Sequence, residues 1–291
     1  VLGILAGATL GAAPSEEYLK EVTEWRANRA ERLTSETGWL TVSGFAWLEP
    51  GENPFGSDPS IRLRMAEDVA PARAGVLVYD AASGSITVRA AEGVEVKLDD
   101  AVITEATLDP KAEEPQVVSV GRVTFWIIER GGKYAVRMRD PQAPLRTEFK
   151  GIDAYPIDPA YLVTCTLKSE SAGWIEVPNI LGYTDSSWTP GAVEFALGGE
   201  TYSLFPTTAG PEDSTLFFVF SDETSGGETY GGGRFVYTDL QPDGTAQLDF
   251  NKAYNPPCAF NPYTTCPLPP KGNDLPVAVR AGEKAYAGNR H

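Results

Sequence analysis

The residues best equipped for chemistry are Arg234, Asp249, Asn251, Tyr254, Asn255 and Glu283, gathered near the C-terminal end of the chain. Asp249 with Glu283, or the neighbouring Asp222-Glu223, offers the carboxylates that acid–base work or an oxygen-ligated divalent cation requires. The amides and the phenol add hydrogen-bonding groups for a ligand. Their spacing follows no calcium loop, and Asn and Asp side chains also cap irregular backbone. The set therefore reads first as a braced loop that completes a β core, and second as a ligand site. No residue is assigned a catalytic or metal-binding role, and no cofactor is expected. The glycine run Tyr230-Gly231-Gly232-Gly233-Arg234 lacks a following GK[ST], so it reads as a turn entering a strand rather than a phosphate loop.

Histidine narrows the chemistry further. The sequence has one, His291, at its last position. Ser-His-Asp and Cys-His nucleophile systems, His-rich zinc sites and haem ligation all require a well-placed imidazole. Any reaction would have to run on carboxylates, Tyr, Lys, Arg or Cys. Of the three cysteines, Cys258 and Cys266 bracket a short Pro/Asn/Tyr loop and are expected to form a disulfide. Cys165, inside the alternating run Tyr161–Leu167, reads as a buried strand residue.

Charge excludes a second group of functions. With 40 acidic against 24 basic residues, the net charge is −16. Nucleic acid needs a basic face, and anionic membranes repel an acidic one. The six Trp, twelve Tyr and twelve Phe are not interleaved with Lys or Arg, so they read as core rather than as a base-stacking surface.

The elements that must position these residues are mostly strands. Ser15 caps a helix over residues 15–37, with Glu16 and Glu17 in its first turn. Its apolar stripe is Tyr18, Val22, Trp25 and Leu33 with Leu19 beside it, and Glu21, Glu24, Arg26 and Arg32 are expected to face out. From residue 38 to 291, short apolar runs about 8 to 12 residues apart, punctuated by Gly and Pro, predict a mainly β protein of antiparallel sheets, sandwich or barrel-like. A proline-rich stretch at 140–160 is the candidate boundary if the β region divides. The turn-rich Glu49–Gly56 is expected to be a loop, and Val277–Arg280 a strand.

Residues 1–14 form an apolar tail, VLGILAGATLGAAP, too short for a bilayer span of about 20 residues. It fits either a leader remnant or an assembly segment. As a strand it puts Leu2, Ile4 and Leu10 on one all-apolar face, with Leu5 on the other; as a helix it aligns Gly3, Gly7 and Gly11. Either form has to pack against something, the chain's own core or a neighbouring copy that accepts the tail as an added strand, and another copy is the partner expected here.

The pieces Gly38-Trp39-Leu40, Phe45-Ala46-Trp47-Leu48, Asn53-Pro54-Phe55-Gly56, Arg137-Met138-Arg139-Asp140, Tyr230–Phe235 and Asp249–Lys284 give the chain a resemblance. Over roughly Trp25 to Lys284 it resembles the mostly secreted or lipid-anchored prokaryotic family called domain of unknown function 1684. That resemblance implies an extracytoplasmic location and no particular reaction. Members often carry a lipid-attachment Cys after the leader, and Leu5-Ala6-Gly7-Ala8 has none. The expected function is an extracytoplasmic structural protein that self-assembles, with a surface carbohydrate or small-ligand binder, or a His-independent hydrolase, as the alternative.

Overall fold

The computed structural model describes residues 14–288. Leu2, Ile4, Leu5, Leu10 and the rest of the apolar tail lie outside the described residues. Helix α1 (Glu16–Thr34) opens with the Tyr18 amide donating to Ser15 Oγ at 3.2 Å, as the cap predicts. Val22 and Leu33 are fully buried on it. Arg26 departs from expectation: it is half-buried, because its guanidinium reaches the carbonyls of Tyr155 and Asn251.

The chain divides into two compact units. The N-terminal unit comprises Glu31–Lys150 and Phe260–Thr265. Its strands are β1 (Val42–Trp47), β2 (Gly51–Gly56), β3 (Leu63–Arg64), β4 (Gly75–Asp80), β5 (Ser85–Ala90), β6 (Val96–Leu98), β7 (Ala101–Ile103), β8 (Glu105–Leu108), β9 (Val118–Val120), β10 (Val123–Arg130) and β11 (Lys133–Arg139). They form a six-stranded sheet, β1-β11-β10-β9-β6-β7, and a five-stranded sheet, β3-β2-β4-β5-β8. Buried residues of both, among them Phe55, Leu77 and Val88 with Phe125, Val136 and Met138, make one core, which is the sandwich-like arrangement that the strand spacing predicts.

Glu49–Gly56 is not all loop, because Gly51–Gly56 forms β2. Pro54 is accommodated because the short β3 pairs only with Phe55 and Gly56, so the missing N–H falls on open edge. A four-residue helix, α2 (Pro144–Thr147), follows β11.

The C-terminal unit comprises the described residues up to Ala30, Gly151–Ala259, and the described residues from Cys266 onward. It contains β12 (Leu162–Lys168), β13 (Gly173–Pro178), β14 (Thr184–Thr189), β15 (Ala192–Leu197), β16 (Glu200–Leu204), β17 (Thr215–Asp222), β18 (Arg234–Asp239), β19 (Thr245–Asp249) and β20 (Asp274–Leu275). The sheets are β16-β15-β12-β19, the hairpin β13-β14, and β18-β17-β20. Alternation holds in β12, where Val163 and Cys165 are buried while Leu162, Thr164 and Thr166 are exposed. Cys165 donates to the Ala246 carbonyl, and burial pushes its thiol pKa up, consistent with an inert core residue. Val277–Arg280 carries no ladder, in contrast to the expected strand. The Val279 carbonyl accepts from a guanidinium instead.

Candidate functional site

Glycine turn geometry delivers Arg234 to the head of β18. Gly233 sits at φ +86°, where a Cβ would approach the Phe220 carbonyl to 2.8 Å, so the bend requires glycine. Arg234 then enters the interior with no exposed surface. Its Nη2 donates to Asp222 Oδ2 at 2.7 Å and to the Val279 carbonyl at 2.8 Å, while Nη1 donates to the carbonyls of Ala281 and Glu283. Asp222 in turn accepts from the Thr224 amide and hydroxyl. One buried cation thus binds a carboxylate and three carbonyls of the Val279–Glu283 stretch, helping to fix backbone that forms no regular strand and meets Ala154 only in an isolated bridge at Glu283.

Glu283, Asn255 and Arg29 form a second cluster. Glu283 Oε2 accepts from the Asn255 amide at 2.7 Å, and Oε1 lies 3.5 Å from Arg29 Nε. Arg29 Nη2 also donates to the Asn255 carbonyl, and Asn255 Nδ2 donates to the Lys284 carbonyl. Burial raises the Glu283 pKa, with Arg29 and the Asn255 amide opposing the shift. The Arg29 guanidinium lies 4.6 Å from the Tyr254 ring centroid, and burial raises the Tyr254 pKa. Gly282, at φ +75°, lets the chain pass the Ala253 carbonyl, which a Cβ would approach to 2.3 Å.

Asp249 and Asn251 make a third cluster at the end of β19. Asp249 Oδ1 accepts from the Asn251 amide at 3.0 Å and from the Tyr18 hydroxyl at 2.9 Å. Asn251 Nδ2 donates to the Asp158 carbonyl while its Oδ1 accepts from the Asp158 amide, pinning that segment as a strand neighbour would. The Tyr18 pKa is raised, by burial first and then by the Asp249 charge.

All six sequence-selected residues therefore lie in the C-terminal unit, but in three internal clusters. Their polar atoms are directed mainly at backbone and at one another. Sequence reasoning missed Arg29, and it gave other roles to the remaining partners: Asp222 a place in a carboxylate pair, Tyr18 one on the apolar stripe of the helix and Arg26 one on its outward face. For the arginines the available signal was their position on α1: Val22, Arg26 and Arg29 recur at helical spacing. Among the described residues no group of three or more His, Cys, Asp or Glu could hold a metal ion, and no helix is long and apolar enough to cross a membrane.

The expected Cys258–Cys266 disulfide is not formed in this structure, where both cysteines are buried as thiols. The Cys266 sulfur instead accepts from the Cys258 amide at 3.2 Å. Hydrogen bonds from Cys266 and Tyr230 lower the Cys258 pKa against the effect of burial.

A β protein whose signature polar residues brace its own irregular C-terminal segment is the class that fold and site define. The family described as protein of unknown function (DUF1684) matches residues 147–284, and the chain belongs to it. An uncharacterized protein of Haloarcula marismortui, solved by solution NMR, is 34% identical over 50% of this chain and 81% of that one, with a TM-score of 0.41. The FHA domain of FhaA, in a complex with the intracellular domain of Rv3910, is 14% identical over 32% of this chain and 86% of that one, with a TM-score of 0.24. No curated protein matches. The pieces at 38–56 and 137–140 fall outside the family match, which is shorter than the resemblance at Trp25–Lys284 suggests.

Proposed function

We propose that the protein is an extracytoplasmic structural protein that assembles with copies of itself, the apolar N-terminal residues of one copy docking beside hairpin β13–β14 of the next. The observation that carries this is the apolar surface of that hairpin. Trp174 is 67% exposed, and Ile180 and Leu181 are exposed in the connecting turn. On the opposite face of the hairpin from Trp174, since Val177 and Ser187 alternate with Trp174 and Trp188 along the paired strands, is a cleft of about 160 Å³ lined by Val177, Phe205, Phe217, Val219, Pro267 and Pro270. Exposed apolar surface of this kind marks an interaction site.

The occupant with matching chemistry is in the same sequence: an uncharged segment with Leu2, Ile4 and Leu10 on one strand face. Burying each such side chain contributes about 2 kcal/mol. A contact between the tail of one copy and the hairpin of another is head-to-tail, and if it does not close it propagates a filament. The family resemblance and the apolar leader-like run support an extracytoplasmic setting. The internal use of Arg234, Asp249, Asn251 and Glu283 speaks against catalysis at those positions.

Sedimentation velocity and electron microscopy of three chains test the proposal: the parent, a deletion of residues 1–13, and Trp174→Glu. The parent is expected to assemble, and both variants to remain folded monomers by circular dichroism. A deletion chain that still assembles, or a parent that stays monomeric under all salt conditions, overturns it.

A further inference from the structure

The N-terminal unit holds a cleft of about 300 Å³, at the lower end of the size range of small-molecule sites. Trp47 forms part of its wall, with Ile61 and Leu63 as further apolar surface. The Trp47 indole is fixed by an edge contact with Phe45, ring centroids 5.1 Å apart and planes at 84°. An indole held in one orientation presents a flat apolar face at little further entropy cost.

The polar lining is charged and balanced. Glu49 and Glu52 contribute two carboxylates, and Arg62 and Arg73 two guanidiniums. Arg62 pairs with Glu49, whereas Arg73 and Glu52 make no ion pair among the described residues. Asn53 of β2 braces the β1–β2 connection that holds Glu49, with Glu52 beside it in β2: its Nδ2 donates to the carbonyls of Glu49 and Gly51, and its Oδ1 accepts from the Glu49 amide at 2.9 Å.

Local charge neutrality selects against an ion as ligand. A carboxylate or an ammonium would gain one partner and meet one like charge. A neutral polyol can use all four groups, because each hydroxyl both donates and accepts. The apolar wall then takes the C–H face of the same ring. A simple alkyl chain fits worse, since it would strip water from the charged lining with no compensating hydrogen bond.

We propose that this cleft binds a neutral pyranose unit, its apolar face on Trp47 and its hydroxyls on Glu49, Glu52, Arg62 and Arg73. Such a site would let the protein attach to a surface or matrix polysaccharide. It is independent of self-assembly, because it uses no residue of the C-terminal unit.

Two-dimensional NMR titration of the full chain, following the Trp47 indole N–H, tests the proposal. The probes are the methyl glycosides of glucose, galactose, mannose and N-acetylglucosamine, with hexanoate and n-hexylamine as ionic controls. At least one glycoside is expected to shift Trp47 with millimolar affinity. Trp47→Ala, read from the backbone amides of Glu49 and Asn53 because its indole signal is gone, should abolish binding, and Arg73→Gln, on an exposed side chain and so neutral to folding, should weaken it about tenfold, the loss of one charged hydrogen bond. Affinity should change less than about twofold as salt screens charge. A Trp47 signal unmoved by every glycoside, tighter binding of either ionic control, or steep salt dependence overturns it.

Discussion

Removing the guanidinium of Arg234 is the sharpest perturbation of the C-terminal signature. In Arg234→Met the stem is replaced by a side chain of similar length, but Asp222, with its side chain fully buried, keeps its charge and loses its only ion-pair partner among the described residues. Leaving a buried charge unpaired costs about 3–5 kcal/mol. The carbonyls of Val279, Ala281 and Glu283 lose donors as well, each worth about 1–3 kcal/mol if it stays dry, though the losses overlap. Against a total stability of about 5–15 kcal/mol, a loss of at least 4 kcal/mol leaves the C-terminal unit marginal or unfolded. Adding Asp222→Asn removes the orphaned charge, while an amide oxygen can still accept from the Thr224 amide. The double variant should therefore regain part of the loss. Urea denaturation followed by tryptophan fluorescence measures each ΔG. A loss below about 1 kcal/mol in the single variant, or a double variant less stable than the sum of the two single losses, would refute the scaffold role.

Other perturbations test neighbouring parts of the structure. Gly282→Ala places a Cβ against the Ala253 carbonyl at a positive φ and should lower stability by about 1–3 kcal/mol in the same assay. Cys258 and Cys266 should react with a thiol reagent only after denaturation; oxidising the pair would close a short loop and add about 2.5 kcal/mol if the native geometry tolerates the bond. Tyr155 is pushed up to about 12 by burial and by its hydrogen bond to Glu228. A phenol pKa raised on folding gives stability that is present below its ordinary value near 10 and is lost as pH rises through about 12. Ultraviolet titration should show this late ionisation disappear in Tyr155→Phe. Glu228 is held below the ordinary carboxylate range by its bonds to Arg280 and Tyr155. Its contribution is present above that range and lost as pH falls through the lowered value, so Glu228→Gln should flatten the acid limb of the stability curve.

The strand content and the helix were legible because local pattern decides them. Alternation around Cys165 and the cap Ser15-Glu16-Glu17 need no tertiary information. Where long-range partners decide, the pattern misled. Val277–Arg280 has strand-like composition, yet its backbone is organised by the guanidinium of a residue some 45 positions earlier. Gly51–Gly56 has turn-like composition, yet β4 pairs with it along its length. Strand β14, TDSSWT, has little apolar signal and forms because β13 lies opposite, with Trp174 across from Trp188.

The candidate site followed the same division. Residue types marked Arg234, Asp249, Asn251, Asn255 and Glu283 as unusual, and their burial shows why polar residues occur there. Their division into three clusters depends on Asp222, Arg29 and Tyr18, whose partners lie far away in sequence and so cannot be read from local pattern. The cleft at Trp47 was hidden for a different reason. Its charged residues come from the β1–β2 connection, strand β2 and the segments that lead into β3 and β4, and only the fold brings them together.

Self-assembly through the tail and the β13–β14 hairpin is tested most directly by mixed-isotope photocrosslinking. Light and heavy copies of the full chain, each with a photoreactive residue in place of Ile4, are mixed under assembling conditions, irradiated, digested and read by mass spectrometry. Light–heavy crosslinks from position 4 to peptides within 174–189 or 266–271 are the expected result. Crosslinks confined to one isotope, or falling on other peptides of the neighbouring copy, would contradict it.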